Sequence, residues 1–157
     1  MGRYQPAILG GLFIGVVSSL PIVNLANFCC CLWVVAGGVL VTYLAQQSTP
    51  DPVATGEAAL QGLMAGALGG VIYCLAQLAI VSIFAGPDVM AQARAELSTN
   101  TEIPPEMRER ILSFMNGRNL VLLAFFVTVP IYAVFSMAGS FLGLAFFRKK
   151  LPPTPQA

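Results

Sequence analysis

The sequence predicts an all-α membrane protein, a transmembrane helical bundle with four spans. Of its 157 residues, 57% are hydrophobic and only 10% are charged, and the mean hydropathy is +0.78. A soluble domain usually carries about 25% charged residues, so this chain lacks the polar surface that would cover a globule in water. Its long uncharged stretches reach or exceed the roughly 20 apolar residues that one membrane crossing needs.

The first uncharged stretch runs from Gln5 to Thr49, which is too long for one spanning helix and suits two. A break is expected within S-S-L-P-I-V-N-L-A-N, because Pro21 disrupts helical hydrogen bonding and Asn24 and Asn27 favour turns and caps. The third helix should end at the Gly-Pro pair 86–87, since these two residues commonly stop a helix. The predicted spans are residues 6–22, 27–46, 57–84 and 118–147, to within a few positions.

The fourth span contains Pro130, which should kink the helix rather than end it because apolar residues continue on both sides. Residues 1–147 are therefore expected to form a single bundle domain, with an extramembrane helical loop at 86–117. Residues 148–157 form a basic, proline-rich tail.

The loop between the last two spans is predicted to hold two short amphipathic helices at about 88–116. One apolar face comprises Met90, Ala93 and Leu97, and the other comprises Met107, Ile111, Phe114 and Met115. Such helices can lie on the membrane surface or cap the bundle. The alternative is a solvated helical hairpin whose two apolar faces pack on each other.

Glycines recur every four residues in three of the four predicted spans. Small residues at this spacing form a groove that lets another helix backbone approach closely, which is how helices pack in lipid. These faces can serve packing within one chain, assembly with a partner, or both. The predicted helix-packing residues are Gly11, Gly15, Gly62, Gly66, Gly70, Gly139 and Gly143.

The side chains of the predicted spans offer little chemistry. The chain has no histidine, and no Asp, Glu, Lys or Arg falls inside a span core, so no nucleophile–base pair, cofactor site or proton path is expected. Gln77 is the one amide near the middle of a span. It is a candidate polar contact, either between helices or along a polar path. The net charge of +1 gives no reason to expect nucleic acid as a partner.

Three consecutive cysteines, Cys29, Cys30 and Cys31, stand at the predicted start of the second span. On a helix they would point about 100° apart, so they could not all face one metal, and adjacent cysteines pair poorly. We expect them to be packing residues, with S-acylation and redox chemistry as alternatives. Trp33 follows closely and is the kind of residue that anchors at the membrane interface.

Several stretches together resemble a group of small bacterial four-helix membrane proteins of unassigned function. They are N-F-C-C-C-L-W, the glycine-rich G-L-M-A-G-A-L-G-G, I-P-P-E-M-R-E-R and the ending F-F-R-K-K-L-P-P. The resemblance covers most of the chain. It implies a bacterial inner-membrane protein and brings no catalytic residues with it.

The sequence thus favours a non-enzymatic, multi-pass membrane scaffold or accessory subunit. Its partners would be lipid and either other membrane subunits or further copies of itself. The alternative function is a small oligomeric pore or transporter. With four spans, both termini lie on one side, and the basic cluster after residue 147 predicts that this side is the cytoplasm.

Overall fold

The computed structural model describes residues 4–20, 23, 27, 31–99, 103–114 and 117–147. Within these ranges the chain is helical and contains no strand, which confirms the all-α prediction. The elements in chain order are α1 (Gln5–Ser19), α2 (Leu32–Ser48), α3 (Thr55–Ile80), a π-helical turn (Val81–Ala85), α4 (Gly86–Thr99), α5 (Pro105–Phe114) and α6 (Gly117–Phe147).

Four of the helices pack together into a bundle. The most extensive contacts are those of α3 with α6, of α1 with α3 and of α2 with α6, while α2 also meets α1 and α3. Helices α1 and α6 therefore lie at opposite corners, and α2 and α3 lie between them. The hairpin of α4 and α5 has contacts between its own helices and with the π-helical turn.

The start of α2 differs from its prediction. The helix begins at Leu32 rather than near residue 27, because Cys31 adopts a left-handed conformation with φ 51°. Its backbone N–H donates to the Asn27 carbonyl oxygen at 2.9 Å, so a turn precedes the helix. The reasoning that placed three cysteines on one helix is therefore wrong for Cys31. Cys29 and Cys30 lie outside the described residues.

The third predicted helix also ends differently. Regular α-helix stops at Ile80, before the predicted limit of 84, and the chain continues through the π-helical turn into α4. Gly86 and Pro87 form the start of α4 instead of a break. Proline is tolerated there because the first helical turn has no intrahelical partner for its missing N–H. α6 begins and ends within one residue of its prediction and continues through Pro130.

Length separates the helices into two classes. Thr55–Ile83 and Val121–Phe147, with 29 and 27 residues, are long and apolar enough to cross a membrane. Only 22% and 17% of their most apolar windows is buried, whereas the core helix of a soluble protein is mostly buried. α1 is apolar but has 15 residues, and α2 has 17. Among the described helices, two of the four predicted spans therefore have full spanning length.

Candidate functional site: glycine contacts and a buried polar interior

The interior of the bundle is small and partly polar, whereas its outer surface is strongly apolar. Among the described residues, the largest fully buried side chains include the aliphatic Ile14, Val34 and Val41 together with Thr42, Ser18, Ser136 and Ser140. Leucine, isoleucine, valine and phenylalanine side chains cover the outside, and Phe126 is 69% exposed. In water this arrangement would be inverted, because burial of large apolar side chains drives the folding of soluble proteins.

The predicted glycine row of α3 faces α6. A Cβ atom on Gly66 would overlap the Tyr132 carbonyl oxygen and lie 2.6 Å from the Ala133 Cα. On Gly62 it would collide with the Ser140 side chain, and on Gly70 it would lie 3.0 Å from the Val129 Cα. Carbon atoms normally stay about 3.5 Å or more apart. The constraint is strictest at Gly66, where a Cβ atom would meet the backbone of α6.

The two other predicted pairs face different neighbours. Gly11 and Gly15 of α1 pack on α3, where a Cβ on Gly15 would lie 2.6 Å from the Ile72 Cβ. Gly139 and Gly143 of α6 pack on α2, and a Cβ on Gly143 would lie 2.8 Å from the Thr42 Cβ. The structure thus places all seven predicted glycines at contacts between helices. Whether the protein needs them for assembly stays a prediction.

Sequence reasoning missed Gly10 and Gly69, which belong to two Gly-Gly doublets, and both residues of a third doublet, Gly37 and Gly38. In each doublet one glycine faces one helix and its neighbour faces another, because successive residues point about 100° apart. Gly69 meets Ile14 of α1, whereas Gly70 meets α6. The doublets 10–11 and 37–38 divide in the same way between two neighbouring helices. The signal was present in the sequence as repeated Gly-Gly pairs.

A pair of hydroxyl groups joins α2 to α6 next to the contact of Gly38 with the Ser136 carbonyl. The Thr42 hydroxyl donates to the Ser140 carbonyl oxygen at 3.0 Å, and the Ser140 hydroxyl donates to the Gly38 carbonyl oxygen at 3.1 Å. Both side chains are fully buried. Bonds of this type between helices are worth about 0.6 to 2 kcal/mol in membranes. Thr42 was absent from the sequence predictions, since a lone threonine gives no periodic signal.

Two glutamines extend the polar interior towards the end where α2 meets α3. Gln46 is 3% exposed, and its side-chain oxygen accepts a hydrogen bond from the Val53 backbone N–H at 3.5 Å. Gln61 is 5% exposed and donates to the Glu57 carboxylate at 3.4 Å. Gln46 Nε2 and the Ser136 hydroxyl are buried without a hydrogen-bond partner among the described residues.

Hydrogen bonds hold the chain together at the opposite end of the α1–α2 pair. The Asn27 amide donates to the Ser18 hydroxyl at 2.9 Å, and the Trp33 indole N–H donates to the Val23 carbonyl oxygen at 3.0 Å. The Trp33 backbone N–H donates to the Asn27 side-chain oxygen at 3.2 Å. This turn therefore satisfies many of its polar groups internally.

Gln77 lies near the C-terminal end of α3, and its side chain is partly exposed. It continues the face that carries Gly66 and Gly70, since it follows Gly70 by two helical turns. Its side chain has no hydrogen bond to another described residue. The structure thus gives Gln77 a place on the side that faces α6, and its role as a polar contact stays a prediction.

The α4–α5 hairpin leaves part of its predicted apolar face open. Met107 is 57% exposed and Ile111 is 36% exposed, so α4 does not cover them. This argues against a fully self-packed hairpin at these two positions. Leu97 is partly buried, and the side chains of Met90, Ala93, Phe114 and Met115 lie outside the described set.

The arrangement offers close packing rather than a reactive centre. Among the described residues, no group of three or more His, Cys, Asp or Glu side chains could hold a metal ion. No family model, curated protein or solved structure matches this chain. The resemblance to small bacterial four-helix proteins therefore stays a prediction.

Proposed function

We propose that the chain is a non-catalytic membrane scaffold or accessory subunit within a larger complex of a bacterial inner membrane. The observation that carries the proposal is the inverted distribution of side chains. Small and polar residues fill the interior, and large apolar residues cover the outside of α3 and α6. Lipid is the surrounding that makes such a surface stable, because its hydrocarbon is as apolar as the exposed side chains.

The non-catalytic part of the proposal rests on the buried polar groups. They are hydroxyls and amides that donate to or accept from the backbone, as in the contact between Thr42 and Ser140. The chain has no histidine to act as a base near neutral pH. A hydroxyl nucleophile requires an adjacent base, and the buried set contains none.

Partners are proposed to be lipid, other membrane subunits or further copies of the chain, with no role for nucleic acid. The open apolar face of α5, with Met107 and Ile111, supports a surface that meets one of these partners outside the bundle. A short amphipathic helix of this kind binds membrane surfaces or protein grooves.

The alternative is a small oligomeric pore or transporter. Two buried polar atoms without a partner, Gln46 Nε2 and the Ser136 hydroxyl, favour water inside the bundle. A solute path would have to run between copies of the chain, because the backbones touch at Gly38 and Gly66. Gln77, on the exposed part of α3, would then be a candidate lining residue.

Two measurements test these proposals. An integral protein stays in the membrane fraction after an alkaline carbonate wash, and release into the supernatant would contradict membrane insertion. Native mass measurement in mild detergent then separates the functions. A complex with other subunits supports the scaffold and contradicts the pore. A homo-oligomer is required by the pore but also fits a scaffold that assembles with itself, and a monomer at all concentrations contradicts both.

A further inference from the structure

Most of the buried polar side chains lie along one seam of the bundle. Among the described residues, six polar side chains are buried, and five of them belong to α2, α3 and α6, which pack on one another. α2 carries two of them four residues apart, and α6 carries two at the same spacing, so each pair lies on one helix face. The five residues of this polar seam are Thr42, Gln46, Gln61, Ser136 and Ser140.

The polar seam runs from the end of the bundle at which α2 and α6 finish towards the middle of the bundle. Gly38 of α2 lies against the Ser136 carbonyl oxygen. Gly143 lies against Thr42, so the two helices run in the same direction. Gln46 follows Gly38 by about 12 Å along α2 and stands in the last turn of that helix. Ser136 is therefore the inner end of the seam, and Gln46 belongs to its outer end.

Ser136 lies deep along the apolar length of α6. At 1.5 Å per residue it is about 16 Å from Phe147 and about 22 Å from Val121, the two ends of that apolar segment. The segment exceeds a hydrocarbon core of about 30 Å by only about 10 Å. Wherever the core lies along the segment, Ser136 is thus at least about 6 Å inside it. This depth rests on the proposed membrane insertion.

The middle of the polar seam satisfies its hydrogen-bonding groups, whereas its two ends do not. The Thr42 and Ser140 hydroxyls donate to backbone carbonyls between α2 and α6. At the ends, the Ser136 hydroxyl and Gln46 Nε2 have no hydrogen-bond partner among the described residues, although these residues are only 0% and 3% exposed. A helical serine can donate to the carbonyl four residues earlier, as Ser140 does to Ser136 at 3.2 Å. The Ser136 hydroxyl makes no such bond.

The chemistry of the two ends selects a small, uncharged ligand. The Ser136 hydroxyl donates and accepts, and Gln46 Nε2 donates, so the ligand must form hydrogen bonds of both kinds. None of the five side chains of the seam is charged, which leaves an ion without a counter-charge at the inner end. The backbones of α2 and α6 touch at Gly38, which excludes a larger solute. Ordered water is the usual partner of buried polar groups that the protein does not satisfy.

We propose that the polar seam is a water-binding track that opens at its outer end and stops at Ser136. One water binds the Gln46 amide, and another binds the Ser136 hydroxyl at the depth of the hydrocarbon. Water enters at the outer end, where Gln61 donates to the partly exposed Glu57 carboxylate. Beyond Ser136 the close contact of Gly66 with the α6 backbone closes the track. The track therefore hydrates the interior from one side and does not cross the membrane.

Water-edited solid-state NMR of the isotope-labelled full-length chain in phosphatidylcholine vesicles tests both sites. Magnetisation from water protons should reach the side chains of Gln46 and Ser136 several-fold faster than that of Ala65. Ala65 is fully buried and precedes Gly66, which lies against α6 near the level of Ser136. Transfer to both sites at the rate of Ala65 would overturn the proposal. Fast transfer to Gln46 alone would also overturn it, because water would then not reach the inner end.

Ser136→Ala is the matched variant, because it removes the hydroxyl and keeps the Cβ atom. Transfer to position 136 should fall to the rate of Ala65, while Gln46 keeps its own rate. Unchanged fast transfer at position 136 would show that the hydroxyl holds no water, against the proposal. Transfer from lipid acyl protons to Phe126, which is 69% exposed, checks membrane insertion in the same sample. Its absence would contradict the insertion, whereas the water comparison decides the track. The wild-type comparison is decisive alone if the variant does not fold.

Discussion

At the scale of single residues, Gly66 offers the sharpest test of the packing between α3 and α6. Gly66→Leu would push a side chain into the Tyr132 carbonyl and the Ala133 backbone. Because backbone cannot move aside as a flexible side chain can, we expect a loss of about 3 kcal/mol or more in the free energy of unfolding, or failure of assembly. Denaturation in detergent, followed by helical circular dichroism, measures it.

Gly56→Leu is the matched control for this change. Gly56 lies in the first turn of the same helix, and a Cβ atom there meets nothing within 4 Å. Both variants replace a helical glycine by leucine, so both raise the intrinsic helix propensity of α3 by a similar amount. A Gly66→Leu protein that unfolds like the Gly56→Leu protein would show that the close contact contributes little.

At the residue level, the sequence shows rows of glycines but not how a Gly-Gly doublet divides between two neighbouring helices. A glycine every fourth position marks one face of one helix, which is a property of the sequence alone. The sequence does not show which neighbouring helix that face contacts. Gly69 and Gly70 differ by one position yet serve α1 and α6 respectively, and this division follows from where those helices stand around α3.

At the scale of elements, Arg108 holds the α4–α5 hairpin in its shape. Its guanidinium donates to the Ser98 carbonyl oxygen at 3.3 Å and to the Ile103 carbonyl oxygen at 3.1 Å. Cations near a helix C-terminus bond its last carbonyls and interact favourably with the dipole. Arg108→Ala should therefore loosen the end of α4 by about 1 kcal/mol, the usual net value of such bonds.

Amide hydrogen exchange over residues 96–108 is the measurement for this change. Exchange there should become faster in the Arg108→Ala protein, while α3 and α6 stay protected. Arg110→Ala removes the same charge from an exposed neighbour and should leave the exchange unchanged. Identical exchange in the two variants would show that the bonds of Arg108 do not hold the hairpin.

The predicted helix boundaries agree with the structure where charged residues define the end of a helix. They differ from it where tertiary contacts define the end. α6 was placed to within one residue, because Arg118 and Arg148 flank its apolar stretch. The start of α2 was placed five residues early. Its true position depends on the left-handed Cys31 and on hydrogen bonds to Asn27, neither of which produces a periodic pattern.

At the scale of the whole molecule, the composition and the long uncharged stretches together were enough to predict an all-α chain. A low charged fraction leaves few ways to fold in water, and helices satisfy their own backbone groups in lipid. The sequence does not show which helices pack on each other. The contacts of Gly15 with Ile72 and of Gly38 with Ser136 show that α1 packs on α3 and α2 on α6.

The orientation of the whole chain in the membrane can be predicted from its positive charges. Four spans would return the chain to its starting side, so we expect both termini on the same side of the membrane. Positive residues near span ends face the cytoplasm, whereas acidic residues contribute little. The terminal side carries Arg3, Arg148, Lys149 and Lys150, and the side of the loop carries Arg94, Arg108, Arg110 and Arg118.

The tie between four and four is broken by distance from the membrane. Three positive charges directly follow Phe147, where the effect on orientation is strong, while Arg94, Arg108 and Arg110 stand several residues from either long helix. We therefore expect both termini in the cytoplasm and the α4–α5 hairpin on the outer side. A reporter fused after Ala157 should be active only if it functions in the cytoplasm, and the same reporter placed before Met1 should agree. Activity of a periplasm-specific reporter at both ends would reverse the orientation. Opposite locations of the two ends would exclude every arrangement in which α1 and α2 form a hairpin that returns to its own side.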